Sequence, residues 1–259
     1  MTLLRSLAFH ICFYANLILQ LLVYLPVFFL LPERHCWAIV KNWARSSLWI
    51  LHHVAGIRTV ISGRENIPSG GAIIASKHQS FWETFALIPE LEKPAFILKK
   101  ELMAIPVFGW YARRMRMIPV DRAKRGATLP SLRGAVREAV EEGRHVVIFP
   151  EGTRAAPGAA PNYRPGVHYL YSELSLTIAP VAVNSGLFWP RKAFRREPGT
   201  IRAEFLPVIG PGLEREAFLG RLRDEIETAS LALMRAAYAE RADLPMSDLV
   251  RARLAEEGA

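Results

Sequence analysis

Cysteine is scarce in this chain: Cys12 and Cys36 are the only two among 259 residues, both in apolar N-terminal surroundings. That excludes a disulfide framework, and the histidines lack ligand spacing, so no metal is expected. Internal repeats and low-complexity runs are missing too, which leaves one large domain with a real core, or such a domain plus an appendage. No helix-turn-helix, RNP-like or zinc-finger spacing accompanies the basic residues, so no nucleic acid is expected as a partner. A Gly-x-Ser-x-Gly elbow, the usual seat of a serine nucleophile, is absent as well.

What the chain has instead is positive charge combined with apolar residues. Its 33 Lys and Arg face 24 Asp and Glu, a formal net charge of +9, while 51% of residues are hydrophobic. This pairing points to an anionic partner in an apolar setting, above all a phospholipid membrane. From Leu7 to Leu31 the strongly polar exceptions are His10, Asn16 and Gln20. As a helix the stretch would run about 37 Å, enough to span a hydrocarbon core of roughly 30 Å. It has no small-residue cleavage site and is expected to be retained. Pro32-Glu33-Arg34 breaks it, and Cys36 to Val54 reads as a second helix with Trp37, Trp43 and Trp49 among Lys41 and Arg45, as at a membrane interface. A single transmembrane helix and a hairpin dipping into one leaflet both fit; the polar second helix favours the hairpin. Residues 1–56 are thus expected to anchor the chain at the cell inner membrane, with the globular part facing the cytoplasm.

After Gly56 short elements alternate. Ile57–Ile61, Ala72–Ala75, Ala95–Leu98, Met117–Val120, His145–Phe149, Ile178–Val183 and Ile201–Phe205 read as strands. Phe81–Leu91, Leu129–Glu142 and Leu213–Glu240 read as helices, the second stopped by Gly143. The alternation predicts an α/β fold over residues 57–245, a largely parallel sheet flanked by helices, following the N-terminal membrane-anchoring helical segment. Residues 246–259 read as a charged, mobile tail. Ligand groups gather at the carboxyl ends of strands in such sheets, which here would bring together His78, Glu83, Lys99, Lys100, Arg122, Glu151 and Arg154. One histidine, two carboxylates and four cations suit a hydroxyl nucleophile that carries a phosphate.

His78 stands where a strand gives way to a helix, with Glu83 five residues on. A histidine oriented by an acid is the simplest general base at neutral pH. Ser80-Phe81-Trp82-Glu83 is equally a Ser-x-x-Glu capping box, in which Glu83 is structural and His78 an ordinary rim residue. The two roles are compatible: a carboxylate has about four acceptor sites, so one oxygen can cap while the other holds the imidazole.

Four blocks carry a family resemblance running from about Arg58 to Leu206. They are His78-Gln79-Ser80-Phe81-Trp82-Glu83, Ile118-Pro119-Val120-Asp121-Arg122, Phe149-Pro150-Glu151-Gly152-Thr153-Arg154 and Ile178-Ala179-Pro180-Val181. In that order they resemble the motifs of the glycerolipid acyltransferases, specifically the 1-acyl-sn-glycerol-3-phosphate (lysophosphatidate) acyltransferases. Three positions depart from the pattern. Glu83 replaces the usual Asp, Arg116 stands where the second block often opens with glycine, and Arg164-Pro165-Gly166 stands where a basic residue commonly precedes glycine directly.

The resemblance implies transfer of a fatty acyl group from acyl-CoA or acyl-carrier protein to the sn-2 hydroxyl of lysophosphatidic acid, making phosphatidic acid with no further cofactor. It implies His78 as the base and Glu83 as its orienting acid. Arg122 and Arg154 would hold the phosphate, with Lys99 or Lys100 as weaker candidates. Glu151 would orient the glycerol hydroxyls, and the Gly152-Thr153 backbone would serve the oxyanion. Three alternatives stay open: another acceptor, such as a lyso-ornithine lipid; a lipid hydrolase with Ser80 as nucleophile; or a non-catalytic membrane adaptor that keeps the fold. The basic groups Arg113, Arg114, Arg116, Lys124, Arg125 and Arg191, Lys192, Arg195, Arg196 would meet anionic lipid or simply water.

Overall fold

The structure, a computed structural model, describes residues 2–121 and 129–256. Seven strands form one sheet: β1 (Ile57–Ser62), β2 (Ala72–Ser76), β3 (Ala95–Lys99), β4 (Ile118–Val120), β5 (His145–Ile148), β6 (Ile178–Val183) and β7 (Gly199–Phe205), in the order β1-β7-β6-β2-β5-β3-β4. All pairings are parallel except β6 with β7, so the expected largely parallel α/β fold is present. Strands β2 and β6 are buried at every position, which is why both read as continuous apolar runs instead of alternating.

The helices differ more from expectation. Instead of an eleven-residue helix from Phe81, there is a single turn, α3 (Glu83–Ala86). Pro89 explains it: proline has no amide to donate, and it disfavours helical backbone at the residue before it. Helix α4 (Phe108–Arg114) and α6 (Gly166–Leu174) are additional short helices, while α5 (Leu129–Glu141) and α7 (Arg215–Glu240) lie where helices are predicted. The charged tail is ordered through α8 (Asp248–Glu256), with Val250 buried. It lies so close to the loop after β5 that a Cβ on Gly158 would sit 2.5 Å from the Leu249 carbonyl oxygen.

The N-terminal residues form an antiparallel hairpin, α1 (Thr2–Phe28) and α2 (Glu33–Ile50), the latter continuing through a π-helical turn, Leu51–Ala55. Two of the polar exceptions in α1 hold the pair together, while His10 bonds the Phe194 carbonyl instead. Asn16 Nδ2 donates to Ser46 Oγ at 3.0 Å and to Ser47 Oγ at 3.1 Å, and Gln20 Nε2 reaches Ser46 Oγ at 3.0 Å. One face of α1 is docked: Phe9 and Phe13 are buried edge-on against Trp189, and Phe13 also meets Phe81 and Phe85. The other face, with Leu4, Leu7, Ile11, Ile18 and Leu22, is exposed.

Candidate active site

The strand order carries the site. Strands β6, β2, β5, β3 and β4 lie side by side, and their carboxyl ends deliver Ser185, His78, Glu151, Lys99 and Asp121 along one rim. With strands about 4.8 Å apart, β2 and β5 are neighbours, while β3 lies roughly 10 Å from β2.

His78 is 15% exposed, and its Nδ1 is 3.0 Å from Glu83 Oε1. Glu83 itself is fully buried yet meets five donors. Oε1 takes the His78 ring and the backbone amides of Gln79 (2.5 Å) and Ser80 (2.8 Å). Oε2 takes the hydroxyls of Ser80 (2.9 Å) and Ser185 (2.8 Å). Burial alone would push this carboxyl up. The His78 hydrogen bond and charge, with the backbone amides, outweigh that and hold it below its ordinary value. One oxygen thus holds both the imidazole and the turn amides, while the expected Ser-x-x-Glu capping box is only half formed: Glu83 reaches back to the Ser80 amide, but α3 begins at Glu83 itself and has no side-chain cap. The Ser80 hydroxyl is committed, since it also accepts the Trp82 amide at 2.8 Å, which leaves the hydrolase alternative without a poised serine.

The imidazole is held on its flat side as well. The Phe149 ring stacks on it at 3.9 Å between centroids, with an interplanar angle of 19°. Because Nδ1 is engaged, Nε2 is the ring nitrogen left for chemistry. Phe149 also lines an apolar cavity of about 250 Å³ that runs past α3, β3 and α4 to the hairpin residues Leu17, Leu21, Val40 and Trp43. The cavity starts beside the candidate base and ends under the N-terminal helices.

The third block is turned more inward than expected. Glu151 is 4% exposed, with its carboxylate 3.4 Å from Lys77 Nζ and 3.4 Å from the His78 amide. Burial pushes its carboxyl up, against the opposing charge of Lys77. Gly152 has φ +69°, the left-handed turn glycine favours, and its amide donates to Phe149 O at 2.9 Å. Thr153 Oγ1 and the Arg154 carbonyl both accept from Arg191 Nη1, at 3.2 and 3.3 Å, so Arg191 braces this turn. Lys99 and Lys100 are exposed at the end of β3, with Lys100 Nζ 3.8 Å from Asp121. Arg122, Lys124 and Arg125 lie outside the described residues.

Two departures find structural explanations. Arg116 has φ +53°, a conformation that favours glycine, and its guanidinium is bound by Glu138 of α5 and by Glu142 just past its end rather than aimed along the rim. Arg164 passes its amide to Pro150 O at 2.8 Å, and its Cγ would be 3.7 Å from a Cβ on Gly152, so it flanks the third block. The basic groups divide similarly. Arg113 and Arg114 bond the carbonyls of Met103 and Leu31, whereas Arg196 is buried, 4.6 Å over the Trp189 ring, and is not solvated surface.

Sequence reasoning missed Ser185, Lys77 and Phe149. Ser185 lies two residues past the end of β6, so the strand-end rule that selected the others reaches it. Lys77 and Phe149 follow β2 and β5 immediately, so the same rule reaches them too, but what each does depends on burial in one case and on a ring contact between strands in the other, which position alone does not signal.

Comparisons with known proteins place the chain in a family. The acyltransferase family model matches residues 58–184. A 1-acyl-sn-glycerol-3-phosphate acyltransferase of Pseudomonas aeruginosa is 39% identical over 178 residues, covering 69% of this chain and 68% of that protein. The chloroplastic BAT2 1-acyl-sn-glycerol-3-phosphate acyltransferase of Brassica napus is 29% identical over 147 residues, covering 56% of this chain and 41% of that protein. Among solved structures, a 1-acyl-sn-glycerophosphate acyltransferase from Thermotoga maritima has the same fold, with a TM-score of 0.75, 21% identity, and coverage of 90% of this chain and 96% of that one. The family match over residues 58–184 and the Pseudomonas aeruginosa relative together make the chain an acyltransferase of glycerolipid synthesis. More narrowly, the chain belongs to the 1-acyl-sn-glycerol-3-phosphate acyltransferase family.

Proposed function

We propose that the protein moves a fatty acyl group from acyl-CoA or acyl-carrier protein to the sn-2 hydroxyl of lysophosphatidic acid, at the cytoplasmic face of the cell inner membrane. The observation that carries this reading is the His78–Glu83 pair at 3.0 Å with Nε2 left over. Nε2 removes the hydroxyl proton as the oxygen attacks the thioester carbonyl, and Glu83 stabilises the imidazolium. Collapse of the tetrahedral intermediate breaks the carbon–sulfur bond, and the departing thiolate takes the proton back from His78. General-base help is worth about 10²–10⁴-fold, and alignment of two substrates about 7–11 kcal/mol, so positioning contributes more than proton transfer.

The apolar cavity beside Phe149 suits an acyl chain, and its other end opens under the hairpin, where a chain can enter from lipid. Burial of each methylene is worth about 0.8 kcal/mol, so a site at the interface spares the chains a passage through water. Arg154 and Arg122 are assigned to the phosphate, since a guanidinium grips two phosphate oxygens at once, with Lys99 or Lys100 contributing charge.

Purified protein assayed on lysophosphatidate with each donor, beside His78→Ala, tests the reading. The expected result is loss of turnover in the variant; full turnover would remove His78 as base. Arg122→Ala and Arg154→Ala should both weaken acylation of lysophosphatidate. Equal acylation of a lyso-ornithine lipid would take the phosphate out of recognition.

A further inference from the structure

Lys77 immediately precedes the candidate base and is 3% exposed, a rare place for an ammonium group. It is held by carboxylates from two distant elements: Glu227 of α7 at 2.6 Å and Glu151 after β5 at 3.4 Å. The Tyr163 hydroxyl donates to the same Glu227 oxygen at 3.0 Å. The cluster is enclosed, and burial pushes the Tyr163 phenol up, as it does the Glu151 carboxyl. A buried ammonium is tolerated only when paired, so the position of Lys77 is tied to both partners.

The cluster reaches the base through the main chain. Glu151 Oε2 accepts from the His78 amide at 3.4 Å, and the His78 carbonyl accepts from the Ala155 amide at 2.8 Å. One segment, residues 151–155, thus holds the His78 peptide on both sides. From the opposite side the Lys77 amide donates to Val181 O of β6 at 2.9 Å. The imidazole hangs from a backbone fixed by β6, by the third block and, through Lys77, by α7.

We infer that Lys77, Glu151 and Glu227 form a positioning network for the base, and that Glu151 acts on the His78 amide instead of on the glycerol of the substrate. At 4% exposure, with one oxygen on Lys77 and the other on the His78 amide, Glu151 has its carboxylate committed within the protein. The inference rests on His78 as the base. Such a network affects how often a bound substrate reacts and leaves how tightly it binds unchanged.

The test is steady-state kinetics of the full chain in detergent, varying lysophosphatidate at saturating acyl-CoA, for Glu151→Gln, Lys77→Met, Tyr163→Phe and His78→Ala. Glu151→Gln and Lys77→Met should each lower kcat by about tenfold or more, with KM for lysophosphatidate within about twofold of the parent. Tyr163→Phe removes one hydroxyl, is the mildest variant for folding, and should lower kcat by a few-fold in the same pattern. A tenfold rise in KM at unchanged kcat in Glu151→Gln, with His78→Ala inactive, would overturn the network and leave the base standing. Parental kcat and KM in Glu151→Gln and Tyr163→Phe would overturn it too. An active His78→Ala would instead remove the base reading itself.

Discussion

Both oxygens of Glu83 are fully engaged: Oε1 accepts from the imidazole and both amides of the turn, and Oε2 accepts from two hydroxyls. A glutamine offers one acceptor oxygen and turns a donor toward the remaining donors. Glu83→Gln should therefore abolish most turnover and lower unfolding stability by at least about 2 kcal/mol, read by denaturant titration. Glu83→Asp withdraws the carboxylate by a methylene but keeps its charge, and should retain measurable activity. The pH dependence has a definite sign. The folded state holds this carboxyl below its ordinary 4.5, so its contribution is present above that value and is lost as pH falls through the depressed one. The stability gap between the parent and Glu83→Gln should accordingly narrow as the solution is acidified below about pH 4.5; a constant gap would deny the coupling. Arg116 is the contrasting residue. Its charge is bound to α5 and its backbone is left-handed, so Arg116→Gly should change KM for lysophosphatidate by less than about twofold.

Among the elements, α4 and the hairpin wall the apolar cavity proposed for the acyl chain. Ala112 lies on α4 against that space, and Ala112→Phe would fill part of it. The expected outcome is a drop in kcat/KM that grows with donor chain length; a uniform drop would mean that the chain lies elsewhere. The hairpin is wedged onto the sheet domain by aromatic contacts, with Trp189 touching Phe9, Phe13, Phe81 and Phe85. Trp189 lies four residues after Ser185, whose hydroxyl bonds Glu83, so the loop that seats α1 also touches the acid of the pair. Phe13→Ala should cost about 3–5 kcal/mol, read by urea unfolding in detergent. Element type and order were legible because strands buried on both faces are apolar throughout, as in β2 and β6. The length of α3 was not, because Pro89 overrides an amphipathic pattern that otherwise continues to Leu91.

For the whole molecule, the exposed stripe of α1 is the feature the folded domain leaves uncovered, and it suits one leaflet of a membrane. Replacing Leu4, Leu7, Ile11 and Ile18 together with serine should shift the protein to the soluble fraction after cell lysis. Retention in the membrane fraction would assign anchoring to another surface. The amino-acid sequence by itself determined the α/β class, the strand boundaries to within a residue or two, and the place of His78, Glu83 and the Glu-Gly-Thr-Arg block at strand ends, because each follows from local apolar patterning and short spacing. Tertiary structure alone decided that Lys77 is buried against Glu227, that Ser185 completes the acceptor set of Glu83, and that residues from Leu17 to Phe149 enclose one cavity. Those relations join positions 150, 102 and 132 residues apart. Such distances are set by how elements pack and which charges must be paired once buried, and no local pattern encodes them.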